Sequence, residues 1–127
     1  MAGMKNAYAV GGCKSPGCFL VLGSFTCAGD ATAVTNVSGK GFSVGNPASG
    51  VITITLTDGA CPGVYAAFCT IEDSTVNAND TVRFGDLDAV STNGTFTIIT
   101  ASSAGTDASL TGPRIHFGVY IRNTSLT

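Results

Sequence analysis

In the stretch Val51-Ile52-Thr53-Ile54-Thr55-Leu56-Thr57, Ile52, Ile54 and Leu56 fall on one side of an extended chain and the threonines on the other. The same period of two returns near the end of the chain. There Ile115, Phe117, Val119 and Ile121 share a face opposite Arg114, His116, Tyr120 and Arg122. Side chains alternate in this way only along a strand, so both segments are expected to be strands with one buried face. Weaker strand signals cover residues 19–26, 41–44, 64–71, 81–85 and 95–100. Turn clusters separate them: Gly45-Asn46-Pro47, Asp58-Gly59, Asn77-Ala78-Asn79-Asp80, Asn93-Gly94 and Thr111-Gly112-Pro113. Asn93-Gly94, just ahead of Thr95-Phe96-Thr97-Ile98, is expected to close a tight hairpin.

Strands that recur every ~8–12 residues between polar turns imply an all-β fold, an antiparallel β-sandwich or barrel-like domain. Composition agrees. The chain holds seventeen threonines but one glutamate, Glu72, so residues that suit a pleated surface outweigh good helix formers. Residues 101–110 lack apolar periodicity and are expected to form a long loop. The expected core is Ile52, Ile54, Leu56, Phe96, Ile98, Ile115, Phe117, Val119 and Ile121. At 127 residues the chain is sized for one domain. A shift in composition near Gly39 sets off an extended, cysteine-containing N-terminal arm or edge strands, 1–38, from a β-sandwich-like domain, 39–127. Within the arm, Phe19, Leu20, Val21 and Leu22 are too hydrophobic for a free tail. This run is expected to attach the protein, adding a strand to a neighbouring sheet or packing beneath the domain.

Charge narrows the partners. Only 11% of residues are charged, and the net charge is −2 with no basic run, which leaves no electrostatic footprint for nucleic acid. A surface so poor in charge suits a protein that covers much of itself by assembly. No stretch reaches the roughly 18 apolar residues that a membrane helix needs. The run at residues 19–22 is too short for a secretory signal and is interrupted by Gly23, so synthesis in a cytosol is expected.

Candidate chemistry is sparse. The single histidine, His116, lies on the polar face of its strand, and cysteine–histidine catalysis would require a thiol beside it. The aspartates sit in or beside turns, where they cap the chain. Asp86-Leu87-Asp88 supplies too few oxygens for a calcium cage, and no phosphate-cradling glycine loop is present. No enzymatic activity, cofactor or metal is expected. Five cysteines, Cys13, Cys18, Cys27, Cys61 and Cys69, remain to be explained. Cys13 and Cys18 bracket a Pro-Gly turn at a zinc-like spacing, yet no second close pair completes a site. A redox pair would need Cys-x-x-Cys at a helix start. As a disulfide, Cys13–Cys18 would contribute about 2 kcal/mol and Cys27–Cys61 about 4. Cys69 reads equally well as a small buried hydrophobe.

Three stretches, Gly41-Phe42-Ser43-Val44, residues 50–58 and residues 115–126, make the chain from Gly39 onward resemble small β-rich head proteins of tailed bacteriophages. The resemblance implies a capsid decoration, or cement, protein with no catalytic residues, sitting on the virion exterior after synthesis in the host bacterial cytoplasm. Its implied partners are the major capsid protein and copies of itself, as a trimer bridging capsomers. It implies too that the five thiols, reduced in the host, become disulfides or inter-subunit cross-links after release. The alternative is a head- or tail-fibre, receptor-binding module whose loop tips, such as residues 101–110, touch the ligand. A secreted cysteine-stapled lectin is a third class, and it would need a signal peptide.

Overall fold

A computed structural model describes residues 18–73 and 79–122. These supply eight strands: β1 (Cys18–Ala28), β2 (Thr35–Gly39), β3 (Phe42–Val44), β4 (Val51–Leu56), β5 (Gly63–Glu72), β6 (Thr81–Phe84), β7 (Thr95–Ala101) and β8 (Thr111–Arg122). The one helical element among them is a single 3-10 turn, Leu87–Val90. The first sheet has the order β2-β1-β8-β5 and the second β3-β4-β7-β6, and every neighbouring pair is antiparallel. The protein is therefore all-β, with two antiparallel sheets and, among the described residues, almost no helix.

Alternation does the sorting. Along β4 each isoleucine or leucine is buried and each threonine exposed, and β7 buries Phe96, Ile98 and Thr100 in turn. All nine residues expected in the core are buried, and Val21, Phe25, Cys27, Cys61, Val90 and Leu110 join them. Phe117 of the first sheet is the hub. Its ring centroid lies 5.1 Å from Phe42, 5.9 Å from Phe96 and 6.3 Å from Phe25, so it locks the two sheets together through edge-on and tilted contacts. Burying a side chain of this size contributes about 1.5–3 kcal/mol. Space is tight enough that Gly23, opposite this cluster, cannot carry a methyl. A Cβ there would lie 2.6 Å from the Phe117 ring and closer still to Phe42.

The structure corrects the placement of Phe19, Leu20, Val21 and Leu22. The strand expected over 19–26 is present as β1, but it joins no neighbouring sheet and does not pack beneath the domain: it pairs with β8 of the same chain from Cys18 to Ala28. Val21 is buried, and Phe19 packs against the core. The run is continuously apolar because both faces of this central strand are apolar, not because the segment is a detached arm. Residues 1–17, including Cys13, lie outside the described residues.

Two further differences concern turns and edges. β2 went unforeseen because all five of its residues are exposed and show no apolar period. Asn93-Gly94 does not close a tight hairpin. β6 and β7 are joined through the 3-10 turn, and Gly94, at φ +71°, ends that turn instead. Its amide and that of Asn93 both donate to the Ala89 carbonyl.

Candidate functional site

The outer face of the first sheet carries the feature that soluble sheets usually avoid. Reading across β1, β8 and β5, Leu22 sits beside Gly118 and Gly118 beside Phe68, while the next row is Leu20, Tyr120 and Ala66. Leu22 is 44% exposed and Phe68 49%, and Tyr65, which stands at the β5 bulge, is 56% exposed. Glycine at position 118 lets these neighbours lie over the strand. A Cβ there would meet the Phe68 ring and come within 2.8 Å of Leu22. Exposed apolar side chains gathered in one band are the material of interaction surfaces, which makes this face the candidate site.

Toward the other end the same face turns polar. Arg114 donates to the hydroxyls of Thr26 (3.0 Å) and Ser24 (2.7 Å), which anchors β8 to β1 from the outside. His116 Nε2 lies 2.9 Å from Glu72 Oε1, and both side chains remain well exposed. Ser24, Ser38 and His116, together with Leu22 and Phe68, line a shallow depression of about 340 Å³ where the polar and apolar halves meet. The histidine thus sits on the outer face and forms an ion pair when it is protonated.

The thiols are scattered and quiet. Cys27 and Cys61 are buried and Cys69 half-buried, and all three are free. No bridge joins Cys27 to Cys61. Burial, aided by the nearby Asp80 carboxylate, pushes the Cys27 thiol up to about 11. Burial also raises Cys69, and burial followed by the Asp58 charge raises Cys61, whose Sγ donates to the Gly59 carbonyl at 3.5 Å. A thiol held protonated is a poor nucleophile and a poor ligand. Cys18 begins β1, and Cys13 lies outside the described residues.

Among the described residues, no three His, Cys, Asp or Glu side chains converge as a metal site would require. Asp86 and Asp88 belong to the 3-10 turn, where the Asp88 carbonyl accepts from the Ser91 amide and hydroxyl. The loop at 102–110 is pinned rather than free. Arg83 grips Asp107 with two bonds of 3.1 Å, and Ser109 donates to Asp30 at 2.7 Å. Asp30 also accepts from the Ser49 amide at 2.8 Å, and these donors hold its carboxyl below the usual range.

Sequence reasoning located the strands of this site but not the site itself. Its signal was present in the unbroken run from Phe19 to Leu22, which in a central strand means that the outer face is apolar too. No protein-family model, curated protein or solved structure matches the chain.

Proposed function

We propose that the chain is a structural virion protein that decorates and stabilises a bacteriophage capsid, as a trimer bridging adjacent capsomers on the virion exterior. The observation that carries the reading is the apolar band of exposed Leu22, Ala66 and Phe68 with half-buried Leu20 on a protein with few charges. Covering that band by self-association or by contact with the shell removes it from water. The stretches that resemble phage head proteins support the same reading, because their described residues fall mainly in β3, β4 and β8 and so in the structural framework. A protein that binds the assembled shell but not its free subunits stabilises the shell by mass action, and many copies add through avidity. The major capsid protein is the partner, and no cofactor enters the role.

The pinned loop at 102–110 favours a second reading, a fibre or receptor-binding module, because an ordered tip is what a ligand contact requires. Quantitative mass spectrometry of purified virions separates the two. A copy number comparable with that of the major capsid protein supports decoration. A small fraction of it supports a fibre, and absence from virions removes both.

A further inference from the structure

Edges are where a β-protein offers its backbone to another chain, and the four edges here are not alike. β2 has five residues, β3 three, and β6 four with Arg83 among them, so each is too short or too charged to template a partner strand. β5 is different. It runs for ten residues without proline, its one charge is Glu72 at the last position, and among the described residues it pairs with β8 alone. Beside its first half lies a groove of about 450 Å³ whose walls include Val64 and Ala67 from β5, Phe84 from the end of β6, and Leu87 and Asp88 from the 3-10 turn. The lining contains a carboxylate and no cation.

We propose that β5 receives a further strand, residues 5–10 of a second copy of this chain, laid antiparallel along its free edge. The proposal rests on the self-association in the reading above, though not on the capsid. Three observations select this occupant. The segment reads Lys5-Asn6-Ala7-Tyr8-Ala9-Val10, so Tyr8 and Val10 alternate with alanines and can fill an apolar groove, while Lys5 supplies the cation that Asp88 lacks. Its place of departure also fits. Cys18 is paired with Arg122 and Arg122 with Gly63, so the chain preceding β1 leaves from the end of the sheet where the groove lies, about 10 Å away at two strand spacings. Finally, Tyr65 and Ala66 belong to the groove lining, and Ala66 belongs to the apolar band as well. A copy packed on the band therefore lies next to the same edge. Strand exchange of this sort gives backbone hydrogen bonds for affinity and alternate side-chain pockets for specificity, and passed from each copy to the next it closes a ring.

The test uses the full-length protein. A donor variant, Tyr8→Asp with Val10→Asp, changes nothing within the described fold, and an acceptor variant, Ala67→Lys, places a charge in the groove. Each is expected to weaken self-association about tenfold or more in sedimentation, and mixing the two should restore a complex through the one intact donor and the one intact acceptor. Hydrogen exchange gives a second readout that does not depend on the acceptor variant folding. Amides of residues 63–68 should be protected in the associated wild type and should exchange faster in the donor variant. Equal exchange in both overturns the proposal. So does protection that persists in a wild-type monomer, which would assign the edge to the chain's own segment. Virion copy number is measured separately, so strand exchange can fail while the decoration reading stands, and the reverse.

Discussion

On their inner faces the two sheets are built alike. β4 and β7 send Ile52, Ile54, Leu56, Phe96 and Ile98 inward, and β1 and β8 answer with Val21, Phe25, Ile115, Phe117, Val119 and Ile121. On their outer faces they part. The second sheet sets Ser43, Thr55 and Thr95 in one row and Thr53 beside Thr97 in the next. At the corresponding depth the first sheet sets Leu22, Gly118 and Phe68. Threonine meets the needs of a strand and of water at once, because its branched Cβ suits the pleat and its hydroxyl stays solvated. Where a chain so rich in threonine gives up that solution on one face, the proposed cover by another molecule supplies a physical reason.

The largest expected effect lies where the sheets do not differ. Phe117→Ala removes the ring that touches Phe25, Phe42 and Phe96, and it should destabilise the fold by about 3–5 kcal/mol in urea unfolding. Phe68→Ala, on the outer face of the same sheet, should cost the isolated protein under about 1 kcal/mol, because half of that ring is already in water. Comparable losses at the two sites would show that the outer band is structural, and the contrast between the faces would disappear.

A pair of glycines sharpens the same contrast. Gly23 faces the core and Gly118 faces out, and a methyl on either would meet aromatic carbon. At Gly23 the obstructing rings are Phe117 of the same sheet and Phe42 of the opposite one, packed edge-on against each other in the core, so Gly23→Ala should cost about 1–3 kcal/mol by overpacking. At Gly118 the obstruction is the exposed Phe68 ring and a Leu22 methyl, both free to swing into solvent, so Gly118→Ala should cost less. Thermal unfolding of the two variants side by side measures the difference, and a larger loss at Gly118 would mean that the outer band is packed as rigidly as the core.

These same residues show what could be read in advance. The inner faces were legible because one-sided burial leaves a period of two, as in 51–57 and 114–122. β1 lost that period because Phe19 and Val21 point one way, Leu20 and Leu22 the other, and all four are apolar. Only a weak strand signal over 19–26 remained, and the run was expected to join a neighbouring sheet or pack beneath the domain, when it is a central strand of the chain's own first sheet. β2 had no apolar residue to bury and so gave no period at all; its Val37 is 50% exposed. Gly94 was legible as a turn residue, yet which strands it joins depends on Leu87–Val90, whose four residues are too few to carry a helical signature. The groove beside β5 could not be read because Val64 and Ala67 meet Phe84 and Leu87 only through the crossing of the chain between sheets.

A third prediction concerns association rather than folding. Leu22→Ser combined with Phe68→Ser should raise the dissociation constant of the oligomer about tenfold or more, whereas Thr53→Lys on the second sheet should leave it unchanged. Sedimentation over a concentration series reads both. Weakening by the lysine alone would move the contact to the threonine face.

The smallest effect is expected where the two sheets are tied at one end. Asp30, in the connection after β1, accepts from Ser49 in the turn before β4 and from Ser109 in the loop before β8, and the Ser109 hydroxyl accepts in turn from the Gly50 amide at 2.9 Å. The hydroxyl of Ser109 first, and the Ser49 amide second, hold the Asp30 carboxyl below its ordinary value of 3.8. Folding therefore favours the ionised form. Its contribution is complete above the ordinary carboxylate value and is lost as pH falls through the lower folded one. Asp30→Asn should shift the urea midpoint slightly near neutrality, because the carboxylate is exposed and solvent screens it. The shift should vanish once the pH falls below the lowered folded value, where the native aspartate is protonated as well. Buried Cys27 and Cys61 should not blur the comparison, since their raised values keep both thiols neutral throughout this acid range. If the variant instead differs from wild type by the same amount at neutral and acid pH, the bonds act through geometry alone, and the tie between the sheets does not depend on charge.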